Sequence, residues 1–329
     1  MTVTAVSYHD TVNDLQGPAY WGKGPFARRE WFALLEQAGH KPLLAVAHDG
    51  RDTVTLPLKR GPLGLEALTN WYAFTWTPHA TFLASAGPFD ELARDLATQA
   101  SRIELAKLPA EGGWADLLEQ AFRKAGWFVA RERCDSNHVL PVAGRGYADY
   151  LAARPGQLRT TLKRKAKKVD VEVLSEFQDE AWSSYEVVYR ESWKPEEGDP
   201  ALLRRFAEAE GAAGRLRLGL ARFEGEVVAA QVWTVEDGTA YIHKLAHLER
   251  AKPLSAGTTL TAALFEHVID RDRVEWVDFG TGDDPYKRDW MEQVRPRWRL
   301  TCWRPEQPGN WPAIAKAWLR QLVSRPRAG

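Results

Sequence analysis

The chain has 329 residues, 44% of them hydrophobic, and it carries 44 basic and 44 acidic side chains, so its formal net charge is zero. That length allows two ordinary domains, and the zero charge argues against a general nucleic-acid binder, so no DNA partner is expected. No run approaches the roughly 18 apolar residues of a membrane span. Two cysteines, Cys134 and Cys302, exclude a disulfide scaffold and fit a reducing compartment, so we expect a cytoplasmic location.

The first half of the chain reads as a helix followed by extended segments. Apolar residues recur at helical spacing over residues 28–38 and end at Gly39. Two β-rich runs then flank a turn at residues 48–51, which predicts a hairpin. A third extended segment at 70–84, a helix at about 89–100 and a strand at 101–108 follow.

The second half repeats this order. A helix (202–214), a hairpin around Glu224 and Gly225, an extended segment (239–248), a helix at about 258–270 and a strand (272–279) occur in turn. Arg102-Ile103-Glu104 also match residues 273–275. We therefore predict a duplicated α+β domain.

The predicted boundaries are a first copy at 1–142, a linker rich in Pro, Gly and Ala at 143–156, a second copy at 157–309 and a C-terminal helix at 310–329. In that last helix Asn310 is the expected cap and Pro312 lies in the first turn. The fifteen tryptophans favour bulky core filling, with ligand-stacking surfaces as the alternative.

Only the second copy ends in a polar motif. Residues 278–290 read DFGTGDDPYKRDW, whereas the first copy continues as LPAEGGWADLL. A plain connection from strand to helix does not need two acids, a tyrosine and a lysine together. The motif therefore predicts that the second copy kept a site and the first became a degenerate scaffold.

Helix, hairpin, strand, glycine-opened helix and strand is the order of the GNAT acyltransferase fold. The second copy also resembles the double-GNAT branch that includes FemAB-type aminoacyl transferases and CelD-like proteins associated with polysaccharide synthesis. Three features carry this resemblance: His243 in YIHKLAH, the segment LSAGTTLTAALFEHVI (254–269) and the closing motif D-x-x-x-G-D-x-x-Y-K-x-x-W (278–290). It covers residues 157–304 well and the first 140 only by architecture. The expected fold is tandem GNAT-like domains, each a mixed, mostly antiparallel sheet flanked by helices.

The resemblance implies that an acyl-thioester arm, acetyl-CoA or another acyl-CoA, enters a gap between the fourth and fifth strands. Ser255-Ala256-Gly257-Thr258-Thr259 open a helix there, and unpaired N–H groups at a helix start favour an anion such as a pyrophosphate. Lys252 and residues 255–259 are therefore the candidate cofactor-binding residues of this segment. Against the family pattern Gln/Arg-x-x-Gly-x-Gly/Ala, the segment from Lys252 to Gly257 departs at two positions, which puts coenzyme A in question. A serine-capped helix without a ligand is the alternative.

Acyl transfer needs a base for the acceptor's proton and an acid for the leaving thiolate. Asp283 and His243 are the candidate bases, although His243 could equally be a core histidine. Tyr286 is the candidate acid by resemblance, and Lys287 offers a charge to phosphate or carboxylate. Asp284 precedes a proline and is expected to cap the next helix.

No metal site is expected. His243 and His247 stand about 13 Å apart along a strand at roughly 3.3 Å per residue, too far for one ion. The sequence also lacks a Walker motif, a dinucleotide fingerprint and a nucleophile elbow.

Residues 159–168 (RTTLKRKAKK) form a basic amphipathic helix. It is either a solvated face or an anion dock for coenzyme phosphates, a nucleotide-linked sugar or a tRNA end.

The function expected is acyl transfer to an amine or hydroxyl of a small or saccharide-linked acceptor, in polysaccharide or cell-envelope metabolism. The alternatives are a FemAB-type transferase that takes its acyl group from aminoacyl-tRNA, and a non-catalytic scaffold of a polysaccharide assembly.

Overall fold

The computed structural model describes residues 4–50, 52–81 and 86–324. Two compact units are present: unit 1 consists of Met1–Asp135 and Arg295–Gly329, and unit 2 of Ser136–Val294. This division differs from the predicted boundaries, because the chain returns to unit 1 after residue 294. The predicted linker, 143–156, contains a helix and the start of another.

The strands, in chain order, are β1 (Ala5–His9), β2 (Pro42–His48), β3 (Thr53–Gly61), β4 (Gly64–Ala67), β5 (His79–Ala80), β6 (Arg102–Pro109), β7 (Phe128–Pro141), β8 (Asp170–Leu174), β9 (Leu216–Phe223), β10 (Glu226–Glu236), β11 (Thr239–His247), β12 (Trp276–Thr281) and β13 (Gln293–Trp303). The α-helices are α1 (Arg29–Gln37), α2 (Gly87–Asp95), α3 (Trp114–Lys124), α4 (Tyr147–Ala152), α5 (Gly156–Lys165), α6 (Asp179–Arg190), α7 (Pro200–Ala212), α8 (Ala256–Glu266), α9 (Lys287–Trp290) and α10 (Trp311–Ser324).

The sheet of unit 1 has the order β1-β2-β3-β4-β6-β13, with β5 on the side of β3. Its strands run antiparallel except for β4 and β6, which are parallel and are joined through α2. The core under this sheet is formed by apolar side chains of β2, β3, β6, α2 and α3, with Leu300 and Cys302 contributed by β13.

The sheet of unit 2 has the order β7-β12-β11-β10-β9-β8, and it too contains one parallel pair, β11 with β12, joined through α8. Helix α8 packs on β9 and β10, and α6 packs on β10 and β11. Gly219 of β9 lets α8 come close, because a Cβ there would lie 2.8 Å from the Leu264 side chain.

The duplicated order of helix, hairpin, strand, helix and strand is thus present in both units. The third strand of unit 1 is β4, so the prediction that it lies at residues 70–84 was wrong. Strand β4 precedes that segment, and residues 82–85 lie outside the described residues. The turn before β4 is GPLG, and only glycine fits at Gly64 because a Cβ would lie 2.2 Å from the Arg102 carbonyl oxygen. The match of 102–104 with 273–275 does not mark equivalent positions, since Arg273 (φ 57°) lies outside β12.

Most of the tryptophans fill cores, as expected. Eight of the fifteen are buried: Trp21, Trp31, Trp76, Trp127, Trp182, Trp233, Trp290 and Trp303.

Candidate active site

The sheet of unit 2 opens between β11 and β12. The two strands pair over three residues only, ending at Tyr241 with Asp278, while β11 continues to His247 and β12 to Thr281. Strands that remained paired to their ends would have left no room here. The opening is the geometry that the resemblance implies for an acyl-thioester arm.

His243 is the extra residue of a β-bulge, because the pairing of β10 with β11 skips it. Its Nε2 lies 2.7 Å from the Thr234 hydroxyl, and its ring packs edge-on against Phe206 of α7. The next residue, Lys244, contacts Tyr189 of α6. The bulge therefore turns two consecutive side chains toward the helices α6 and α7.

Lys244 forms a buried ion pair with Glu197. Its Nζ lies 2.7 Å from Glu197 Oε1, and the two side chains are only 10% and 12% exposed. Burial lowers the pKa of Lys244, an effect that Glu197 opposes.

A cavity of about 610 Å³ lies beside this pair, lined by α6, by residues 194–197 and by the start of α7. Tyr185 and Tyr189 supply ring surface, while Arg190, Lys194 and Glu197 supply charge of both signs. Burial raises the pKa of Tyr189 to about 12. The volume is that of a pocket for a small molecule.

The start of α8 presents the backbone N–H groups of Ala256, Gly257 and Thr258, which have no partner within the helix. Ser255 before it is left-handed (φ 55°) and does not cap the helix, so the capping alternative is not observed. The Thr259 hydroxyl is buried without a hydrogen-bond partner in the described part of the chain. The first turn of α8 thus has hydrogen-bond donors that could bind an anion.

Lys165 brings the basic helix α5 to this turn, since its Nζ lies 3.2 Å from Ser255 Oγ. Gly257 packs against His247, whose ring carbon lies 3.1 Å from where a Cβ would be. Lys252, which was predicted to bind the cofactor, is exposed and pairs with Glu249. A cation other than Lys252 therefore stands next to the helix start.

The glycines and the first acid of the closing motif form a corner at the end of β12. Asp278 Oδ1 accepts hydrogen bonds from Asn137 Nδ2 and from the Gly280 N–H, both at 2.7 Å. Gly280 and Gly282 have φ of 66° and 97°, which favour glycine. The Gly282 N–H donates to the Ser136 carbonyl. Some polar residues of the motif therefore stabilise the conformation of the backbone at this corner.

Asp283 forms an ion pair with Arg288, at 2.9 and 3.0 Å, and accepts from His138 Nε2 at 3.1 Å. The bonds to Arg288 lower the pKa of Asp283, which makes it a weaker base. His138 is fully buried, its Nδ1 has no partner in the described residues, and burial lowers its pKa.

Tyr286 lies partly exposed with its ring edge-on to Phe279, and burial of its hydroxyl raises its pKa, so it keeps its proton. Lys287 is buried, and its ammonium donates to the Thr281 carbonyl, which argues against the predicted role as an anion anchor. Asp284 is exposed, and α9 has no side-chain cap, so the predicted capping by Asp284 is not observed.

The segment 191–199 connects the start of α8 with the corner. The Trp193 ring lies 4.2 Å from that of His247, centroid to centroid, and Lys194 interacts electrostatically with both His247 and Asp284. Burial lowers the pKa of Lys194. The helix start, the end of β11 and the corner thus border one region of unit 2.

Lys194, Glu197 and Lys244 are site residues that the sequence alone did not predict. Lys244 follows His243 directly, but a simple alternating strand would place the two on opposite faces. The stretch SWKPEEGDP offered only a concentration of charge between two helices.

Across the described residues no group of three or more His, Cys, Asp or Glu side chains could hold a metal ion, and no helix is long and apolar enough to cross a membrane.

Residues 145–288 match the family model of the acetyltransferase (GNAT) domain. A search of curated protein sequences finds no match. Among solved structures, FemX is similar with a TM-score of 0.65 at 10% identity, covering 90% of this chain and 96% of that chain. The C-terminal domain of a putative lysylphosphatidylglycerol synthetase from Agrobacterium fabrum has a TM-score of 0.57 at 13% identity, covering 89% and 91%. L-PGS from Bacillus licheniformis has a TM-score of 0.56 at 12% identity, covering 89% and 92%.

Proposed function

We propose that the chain is a double-GNAT protein and that unit 2 is an acyltransferase, supported by the GNAT-domain match at residues 145–288 and by a fold similar to that of FemX along most of the chain. It moves an acyl group from acyl-CoA or a related thioester to an amine or hydroxyl acceptor. The observation that supports the proposal is the early end of the β11–β12 pairing, with the start of α8 next to His247 of β11 and a cavity beside Glu197, the partner of Lys244.

The donor's phosphates would bind at the start of α8. The N–H groups of residues 256–258 and the helix dipole favour an anion, and Lys165 adds a positive charge beside them. Gly257 has no side chain at this helix start, and the His247 ring packs against it.

The acceptor would occupy the cavity next to Lys244 and Glu197. Its nucleophilic nitrogen or oxygen attacks the thioester carbonyl carbon, its proton passes to a base, and the carbon–sulfur bond breaks. Tyr286, whose pKa is raised by burial, would then give its proton to the thiolate sulfur.

His243 is the base that we favour over Asp283. In the tautomer that donates Nε2–H to Thr234, Nδ1 carries the lone pair that accepts a proton. Asp283 is held ionised by Arg288 and is correspondingly less basic. Exchange of His243 for Gln should therefore lower kcat and remove the acidic limb of its pH profile, whereas Asp283→Asn should leave that limb in place.

Ligand-induced thermal stabilisation tests the donor. At about 100 times Kd a ligand stabilises the folded state by about 2.7 kcal/mol. We expect acetyl-CoA to stabilise the wild type but not Gly257→Val, whose side chain would collide with the His247 ring and displace the start of α8. Gly309→Val is the matched control, because Gly309 has open space around it. Failure of a panel of acyl-CoA esters to stabilise the wild type would refute the thioester donor.

The second candidate donor is aminoacyl-tRNA, and the exposed cations of the basic helix favour it: Lys163, Arg164, Lys167 and Lys168. Binding of charged tRNA should then weaken steeply with salt, and substitution of two of these cations should reduce the slope by about two. If neither donor stabilised the protein, the result would favour the non-catalytic scaffold function.

A further inference from the structure

Helix α10 carries its apolar side outward. At 100° per residue, Trp311, Ala315, Trp318 and Leu319 fall within about 100° of arc. Trp311, Trp318 and Leu319 are 59%, 53% and 57% exposed. The partly buried residues of the helix, Ala313, Ile314 and Ala317, lie on another side. A surface helix of a globular protein normally buries its apolar stripe, so this one is arranged to bind something else.

Its charges all have one sign. Lys316 and Arg320 lie on the polar side of the helix, about 60° and 100° beyond Leu319, and both are exposed. The sequence from residue 307 onward contains no acidic residue, and Arg325 and Arg327 follow the helix. Exposed tryptophan and leucine beside lysine and arginine are the composition of helices that lie in the plane of a bilayer surface.

We propose that α10 docks unit 1 on an anionic lipid surface. The helix has 14 residues, which is about 21 Å and too short to cross a bilayer, so it would lie along the surface with its tryptophans among the head groups. Lys316, the cation nearer to the apolar side, would reach the negative surface of the lipid, and Arg320 would add to the attraction from the polar side.

A second copy of the chain fits this face less well. In a symmetric dimer the same patch packs against itself, which would place the cations of both copies around one contact with no acidic side chain of α10 to pair with them. Their repulsion would oppose the association, whereas an anionic surface is attracted by the same charges.

Sedimentation with sucrose-loaded vesicles tests the proposal on the full chain. Vesicles of phosphatidylcholine with about one third phosphatidylglycerol should bind the protein at about 0.05 M salt and release much of it at about 0.5 M. Vesicles of phosphatidylcholine alone should bind it at least about tenfold more weakly. Equal binding to both, or binding to neither, would overturn the proposal.

Two double variants locate the contact. Trp318→Gln with Leu319→Gln, and Lys316→Glu with Arg320→Glu, should each weaken binding by about tenfold or more. Trp71→Gln is the control for the first, since Trp71 is another exposed tryptophan of unit 1, at 72%. Retained binding by both double variants would refute the assignment to α10.

The controls also separate lipid from other occupants. Lys167→Glu with Lys168→Glu changes the same charge on the basic helix of unit 2 and should leave vesicle binding unchanged. Light scattering without lipid should give one mass for the wild type and for Trp318→Gln with Leu319→Gln. A dimer that this variant dissociates would show that a second copy covers α10 and would overturn the proposal.

Discussion

Removal of Glu197 should destabilise unit 2 strongly, because it leaves the buried Lys244 ammonium without its carboxylate partner. At 2.7 Å and an effective dielectric constant of about 20, Coulomb's law gives an attraction of about 6 kcal/mol. The cost of removing both charges from water offsets most of that, so the intact pair contributes little net stability. When one partner is lost, however, the other charge is still kept from water without compensation, which typically costs about 3–5 kcal/mol.

We therefore expect Glu197→Ala to lose about 3 kcal/mol of the free energy of unfolding, measured by urea denaturation with tryptophan fluorescence. Glu197→Ala combined with Lys244→Met should lose at least about 2 kcal/mol less than the sum of the single variants, since no charge is left unpaired. Additivity within about 0.5 kcal/mol would refute the reasoning.

The exposed pair Lys252–Glu249 is the matched control. It has the same chemistry and an N–O distance of 2.6 Å, but its side chains are 58% and 51% exposed. Glu249→Ala should therefore change stability by less than about 1 kcal/mol.

The pH dependence gives a second readout of Glu197→Ala. Burial lowers the pKa of Lys244 in the folded state, so the unfolded state binds its proton more tightly. The stability of Glu197→Ala should consequently recover as the pH rises toward 10, where Lys244 can be neutral. A penalty that stays constant between pH 7 and pH 10 would contradict the assignment of the loss to a buried charge.

Three further predictions concern unit 2. Gly282→Ala should cost about 1–2 kcal/mol in urea denaturation because of its φ of 97°, while Gly198→Ala, in open space without a positive φ, should be neutral. Gly211→Ala should lower Tm by several degrees, because its Cβ would lie 2.6 Å from the Phe177 backbone nitrogen. Burial lowers the pKa of His138 from its ordinary value of 6.5. The urea concentration at the unfolding midpoint should therefore decrease when the pH is lowered below about 6.5, and it should decrease less in His138→Gln.

Local pattern was sufficient to predict the repeated architecture. The hairpins at β2–β3 and β9–β10 have turn residues with positive φ at Gly50, Glu224 and Gly225, which alternation of apolar residues together with Asp-Gly and Glu-Gly predicts. The helix α5 and its cations were likewise readable from composition.

Tertiary contacts decided the rest of the site. Composition placed Asp283 and Lys287 in a polar corner, but which neighbour holds each charge depends on Arg288 and the Thr281 carbonyl. The bulge at His243 depends on the register of β10 against β11, which no local signal in YIHKLAH specifies. Lys194 and Glu197 could not be predicted as site residues because their partners, Asp284 and Lys244, are distant in the sequence.

The path of the chain makes unit 2 an insertion within unit 1. Strand β13 completes the first sheet by pairing with β6 from Arg297 to Trp303, almost two hundred positions after β6 leaves the ribosome. The sheet of unit 1 therefore cannot be completed during synthesis until all of residues 136–294 have emerged from the ribosome. A nascent chain stalled before β13 would hold β6 as an unprotected edge, and a nonsense mutation between residue 136 and the start of β13 would leave the sheet of unit 1 without its last strand.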